Sequence, residues 1–199
     1  IRIRIIVHLD QMKELIAYIE KFGSLNEDEK QIIMSLFSLV EIPKGTYFIE
    51  HGNTSKKIAF VHEGVFRSVY YNKEGDDFTN YFIYEGRFIG DLHSFQEQTL
   101  SNDYIEAITD AVVWSIDYDS FTILEKQIAI WPLLMSKLYA FVAESKLKTA
   151  SAMKNLDATS RYHLFLEHYP GLANRVPLSM LATYLGITSS SLSRIRRNG

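Results

Sequence analysis

The sequence predicts an α+β chain: an N-terminal jelly-roll or β-roll body, one long helix, and a small helical unit at the C-terminus. Three observations carry this. Between Leu39 and Asp117, eight short β-prone runs are parted by glycines. After Trp131-Pro132, an uninterrupted helical stretch reaches about Leu156. Near the end, Val176–Asn198 holds two short amphipathic helices on either side of Gly186.

Composition sets the limits. The 199 residues are 47% hydrophobic and 13% aromatic, enough for one large or two small domains, each with a core. No apolar run reaches the roughly 18 residues of a membrane span. Ile1-Arg-Ile-Arg-Ile-Ile-Val7 is too short and wrongly flanked for a signal peptide. Met12 is expected as the natural start, with residues 1–11 an added or over-extended beginning of no functional weight. The chain has no cysteine, which excludes disulfides, iron–sulfur ligation and thiol sensing. A soluble cytoplasmic protein is expected.

The elements follow in order. Glu14–Lys21 and Glu27–Phe37 read as helices, the second capped by Asn26 with acids in its first turn. Strands are predicted at Leu39–Pro43, Tyr47–Glu50, Lys57–His62, Val65–Asn72, Phe78–Tyr84, Arg87–Ile89, Tyr104–Ala107 and Val112–Asp117. Lys73-Glu-Gly-Asp76 is a hairpin signal. So many short strands with glycine turns imply a sandwich or jelly-roll barrel. Tyr118–Gln127 is a short helix. In the long helix, Leu134, Leu138, Phe141, Ser145, Lys148 (or Thr149), Ala152 and Leu156 step by three and four, a narrow stripe of coiled-coil type. A helix of about 24 residues runs roughly 36 Å, longer than a small barrel needs, so the stripe is read as a dimer seam. Asp157 caps a further helix that ends before Tyr169-Pro-Gly171. The division is 12–132, 133–156 and 157–199.

In the last unit, Pro177 suits the first position of a helix. Leu178, Leu181, Ala182 and Leu185 give that helix an apolar face. Gly186 supplies the positive φ of the turn. Thr188 caps the second helix, which sends Leu192 and Ile195 inward and presents Ser189, Ser190, Ser193, Arg194 and Arg197 outward. This pair resembles the helix-turn-helix of DNA-binding repressors and activators, with Ala182, Gly186, Leu192 and Ile195 at the motif's positions. Charge points the same way. Overall the chain carries −3, but residues 1–132 hold 12 Lys and Arg against 21 Asp and Glu, and residues 133–199 hold 9 against 3. A basic C-terminal third behind an acidic body fits one module that meets phosphates.

The whole order, over about residues 24–198, resembles the Crp/Fnr family of bacterial transcription regulators. Pro43–Gly52, Phe60–Gly64 and Phe88-Ile-Gly-Asp-Leu92 look like that family's cyclic-nucleotide-type barrel. Ser193-Arg-Ile-Arg-Arg197 is most similar to a subgroup common in Bacteroidetes-type genomes. The resemblance implies an N-terminal effector domain, a long dimerisation helix and a winged-helix-like DNA-binding domain. It also implies a homodimer on double-stranded DNA, with RNA polymerase as a further partner. The DNA-binding residues implied are Thr188, Ser189, Ser190, Ser193, Arg194, Arg196 and Arg197, the last two as phosphate contacts. The family's C-terminal wing is either absent or lies beyond the sequence.

The effector pocket implied by the resemblance is Gly90, Asp91, Leu92, Ser101 and Asn102. Cyclic-AMP-binding members carry Glu at the Asp91 position and an Arg-Ser/Thr pair where Ser101 and Asn102 stand, 11 and 12 residues after Gly90. A hydroxyl does not replace a guanidinium on a cyclic phosphate, and Glu63, Asp103 and Glu106 add negative charge. Cyclic AMP is therefore not expected as effector, and no cofactor is assigned. A neutral, cationic or apolar ligand held by aromatics around Tyr81–Tyr84, Phe88 and Phe95 is expected if one binds. A barrel that serves only as scaffold stays equally open.

His51, His62 and His93 fall in β-roll segments, while His8, His163 and His168 do not. None has metal-ligand spacing, so no metal is assigned. No Gly-x-Ser-x-Gly, P-loop or paired-carboxylate motif is present, and no enzyme is expected. The alternative reading is a cupin-like small-molecule or metal-enzyme barrel with a vestigial helical head.

Overall fold

Apolar side chains alternate along short strands to build two four-stranded antiparallel sheets, in the order β1-β8-β3-β6 and β2-β7-β4-β5. The structure is a computed structural model that describes residues 12–198; the readings made on residues 1–11, His8 included, and on Gly199 lie outside these. The strands are β1 (Ser38–Ile42), β2 (Tyr47–Ile49), β3 (Lys57–Glu63), β4 (Val65–Tyr71), β5 (Asp77–Tyr84), β6 (Phe88–Ile89), β7 (Tyr104–Ala107) and β8 (Ala111–Asp117). All eight predicted strands form, shifted by at most a residue or two at their ends.

Helices α1 (Lys13–Glu20) and α2 (Glu27–Leu36) precede the barrel, and Asn26 and Glu29 close a reciprocal capping box on α2. A short helix α3 (Leu92–Glu97) was not predicted. Asp91 nucleates it by accepting from the Ser94 amide at 3.0 Å. Then come α4 (Tyr118–Gln127), the long α5 (Trp131–Met153), α6 (Ala158–His168), a 3-10 turn at Leu172–Asn174, α7 (Leu178–Leu185) and α8 (Ser189–Asn198).

The first sheet is covered on both faces and the second on its inner face and at one end of its outer face, which fixes the layering. Ala59, Val61, Phe66, Ile83, Ile89, Ile105 and Val113 fill the barrel. On the outer face of the first sheet, Ile58, Phe60, Trp114 and Ile116 meet Leu15, Ile19, Ile33, Phe121, Leu134 and Leu138 from α1, α2, α4 and α5. On the outer face of the second, Val65 and Phe82, with Ile108 from the loop after β7, join Phe165, Leu172, Val176, Leu181, Leu185 and Leu192 of the C-terminal head.

This layering corrects the predicted seam. Leu134 and Leu138 are buried in the chain's own core, and Phe141 packs on Phe22 with ring centroids 5.6 Å apart while staying half exposed. The outward face of α5 is a different one. It carries Leu133, Ala140 and Leu147, all exposed, Leu147 at 68%, with Ala143 at its border with a cavity between barrel, α5 and head.

Candidate functional site

The head presents one polar face. In α7, Leu181, Ala182 and Leu185 are buried, and Gly186 follows at φ 67°, where an L side chain would be strained. Pro177 is the residue just before the helix, one position earlier than expected, and its carbonyl accepts from Leu181. Thr188 caps α8 by accepting from the Ser191 amide at 3.2 Å. Leu192 is buried, which turns Ser189, Ser190, Ser193, Arg194 and Arg197 to solvent. Arg194 borders a shallow groove with Thr159 and His163 of α6.

Arg196 departs from expectation. Four residues after Leu192, it lies on the inner side of the helix, and its guanidinium donates to the Ala173 carbonyl at 2.7 Å. It is a strut of the head rather than part of the outer face.

The head is tied to the barrel. Arg175 makes a bidentate pair with Glu85 at 2.6 and 2.8 Å, which holds the Glu85 carboxyl below its usual range against the opposing effect of burial. The Thr79 amide donates to the Thr183 hydroxyl at 3.2 Å, linking β5 to α7.

A cavity of about 820 Å³ lies between barrel, α5 and head. Of the expected pocket residues, Gly90, Asp91 and Leu92 line it. Gly90 sits at φ 148°, and a Cβ there would come within 2.7 Å of Ile58 Cγ2, so the barrel backbone closes tightly at this point. Ser101 is buried and donates to Asp91 Oδ2 at 2.7 Å, while Asn102 is exposed; neither lines the cavity. The expected aromatic wall is present in Tyr81, Phe82 and Phe88, but Phe95 is fully buried in the helix-side core.

The acidic groups also fall differently. Glu106 is on the outside of the barrel, where Arg67 bridges it, at 2.8 Å, to Asp77. Glu63 does not line the cavity either; only Asp103 does, beside Asp91. Two cations that sequence reasoning missed, Arg87 of the barrel and Lys146 of α5, complete the lining. Lys146 could have been found, since it lies on the barrel side of the long helix, one turn beyond Val142.

The histidines do not converge: among the described residues no group of three or more His, Asp or Glu is placed to hold a metal ion. His51 stacks on Tyr104 and His62 lies 3.7 Å from Glu14. No helix of the described residues is long and apolar enough to cross a membrane.

Residues 39–127 match the family profile of the cyclic nucleotide-binding domain. That match takes in most of the barrel and the helix that follows it. Over the longer chain the same architecture recurs in solved structures. FixK2 from Bradyrhizobium japonicum is 20% identical with a TM-score of 0.67, over 81% of this chain and 83% of its own. CLP from Xanthomonas campestris, described as a c-di-GMP responsive global regulator, is 17% identical with a TM-score of 0.65, over 87% and 91%. A transcriptional regulator of the Crp/Fnr family from Eubacterium rectale is 20% identical with a TM-score of 0.65, over 87% and 83%. The chain thus has the fold of Crp/Fnr regulators. No curated protein matches the sequence significantly.

Proposed function

We propose that this chain is a DNA-binding transcription regulator of the Crp/Fnr type, acting in the cytoplasm as a homodimer, and that it is not an enzyme. The observation that carries the reading is the outer face of α8, where three serines are followed by two guanidiniums over a buried Leu192. Short polar groups at the start of a helix can approach base edges, and Arg194 one turn on has the reach for guanine. Arg197 is assigned to phosphates. Arg196 is left out of the contact set because its guanidinium is engaged inside the head.

Two-fold operators need two heads about 34 Å apart. The exposed Leu133, Ala140 and Leu147 stripe supports a parallel α5 seam, the alanine letting the helices approach and the leucines filling between them. RNA polymerase is the further partner that family resemblance suggests.

Cyclic AMP and cyclic GMP are not the effectors in this reading. The position that would hold a phosphate-binding arginine is the buried Ser101, already bonded to the Asp91 carboxylate. A phosphate there would meet Asp91 and Asp103, and Lys146 is engaged with Tyr81 at 2.9 Å.

The test is selection of bound fragments from random double-stranded DNA by the purified chain, followed by titration on the enriched site at several salt concentrations. A two-fold motif with a steep salt slope is the expected result. Enrichment of no motif would overturn the reading. Addition of cyclic AMP should leave the affinity unchanged.

A further inference from the structure

The cavity of about 820 Å³ has three walls, with Tyr81 and Phe88 from the barrel, Tyr139 and Lys146 from α5, and Tyr184 from the head. Its size is that of a site for a small organic molecule. Rings such as Tyr81, Phe88, Tyr139 and Tyr184 and aliphatic side chains such as Ile83 and Met153 make the walls mainly apolar, so the body of an occupant is apolar. What decides the rest of its chemistry is which polar groups remain uncommitted.

Most of them are engaged. Asp91 accepts from the Ser94 amide on one oxygen and from the Ser101 hydroxyl on the other. Arg87 stacks over the Tyr84 ring at 3.5 Å and donates to its hydroxyl at 2.6 Å. Lys146 donates to the Tyr81 hydroxyl and sits 4.0 Å from that ring's centroid. Asp103 is the exception: its amide donates to Ser101 Oγ, but among the described residues its carboxylate accepts no hydrogen bond and closes no ion pair. The Tyr139 hydroxyl is buried without a hydrogen-bond partner, and so is that of Tyr184.

We propose that this cavity binds an organic cation, an ammonium on an aromatic or aliphatic body, with the ammonium at Asp103 and the body between Tyr81, Phe88 and Tyr139. Burial and then the neighbouring Asp91 carboxylate hold the Asp103 carboxyl above its ordinary range, against the opposing pull of the Lys146 ammonium, and a cation at Asp103 would relieve both. An anion at Asp103 would meet two carboxylates, while the nearby Lys146 is engaged with Tyr81 and Arg87 with Tyr84. The placement of the Lys146 ammonium over Tyr81 shows that the aromatic wall accommodates such a group. Because Tyr184 belongs to α7, next to the Thr183 that bonds Thr79 of the barrel, an occupant touches the head directly. That coupling rests on the proposed regulator function; the binding itself does not.

The experiment is calorimetry of the full chain, without DNA, against 4-phenylbutylamine, 4-phenylbutyrate and 4-phenylbutanol, three probes of similar body that differ in charge. The amine should bind about tenfold or more tightly than the acid, and Asp103→Asn should remove that margin while leaving the alcohol unchanged. Lys146→Met should keep the amine's binding, with circular dichroism showing both variants folded. Equal or tighter binding of the acid, an amine indifferent to Asp103→Asn, or no heat from the amine at millimolar concentration would each overturn the proposal. Since DNA is absent from the measurement, failure here is separate from failure to find an operator.

Discussion

Arg194 and Arg196 stand two positions apart and have opposite environments. Arg194 is exposed beside the α6 groove, whereas Arg196 is bonded to the Ala173 carbonyl. Arg194→Ala should cost about 1–3 kcal/mol on the preferred DNA site and little on random DNA, measured by anisotropy titration on both. Arg196→Ala should instead lower the melting temperature, by a loss of roughly 1–3 kcal/mol as a charged hydrogen bond inside the head is lost, with the salt slope of DNA binding unchanged. The phase of Arg196 is legible in the sequence, four residues after Leu192, although its place in a run of basic residues suggests a phosphate contact. Glu106 could not have been placed that way, because its partner Arg67 is on another strand. Asp103 adds a pH signature. Its carboxyl is raised above the ordinary 3.8 by burial and Asp91, so the folded state favours its protonated form, and that contribution fades as pH rises through the raised value. Asp103→Asn should therefore melt above the parent chain at neutral pH, and the two curves should converge as the pH falls into the carboxylate range.

Among the elements, α5 shows how far periodicity reaches. Its length and its step of three and four were legible, and so was its start at Trp131-Pro132. Which face pairs with what was not, since the helix has two apolar faces and sequence spacing does not say which one the barrel takes. The barrel takes the bulkier one, Leu134, Met135 and Leu138, because the concavity left by α1, α4 and the first sheet has to be filled. The other, of leucine and alanine, stays outside. The two faces should respond differently to substitution. Leu147→Glu should shift the sedimentation of the chain from dimer to monomer with little change in melting temperature. Leu138→Ala should cost about 2–5 kcal/mol of stability, as a fully buried leucine does. If Leu147→Glu left a dimer intact, the outward stripe would not be the seam.

At the scale of the whole molecule, the eight strands, the long helix and the helical pair were all readable, but the junction between barrel and head was not. Val65, Phe82 and Ile108 read as ordinary strand and loop residues. Only the fold shows that Val65 and Phe82 point out of the barrel and, with Ile108, complete the core of the head. The head's own contribution from Phe165, Leu172, Val176, Leu181, Leu185 and Leu192 is a one-sided layer on short helices. At this size a unit without a full core or a cross-link is marginal. A fragment of residues 157–199 should therefore show little helix by circular dichroism in dilute buffer, although its helices are well capped at Asp157 and Thr188. Phe82→Ala in the full chain should loosen the head first, seen as faster amide exchange in α7 and α8 than in β3 and β8. An isolated head that folded cooperatively would show that Val65, Phe82 and Ile108 are merely a resting surface, and the cavity would then lose its third fixed wall.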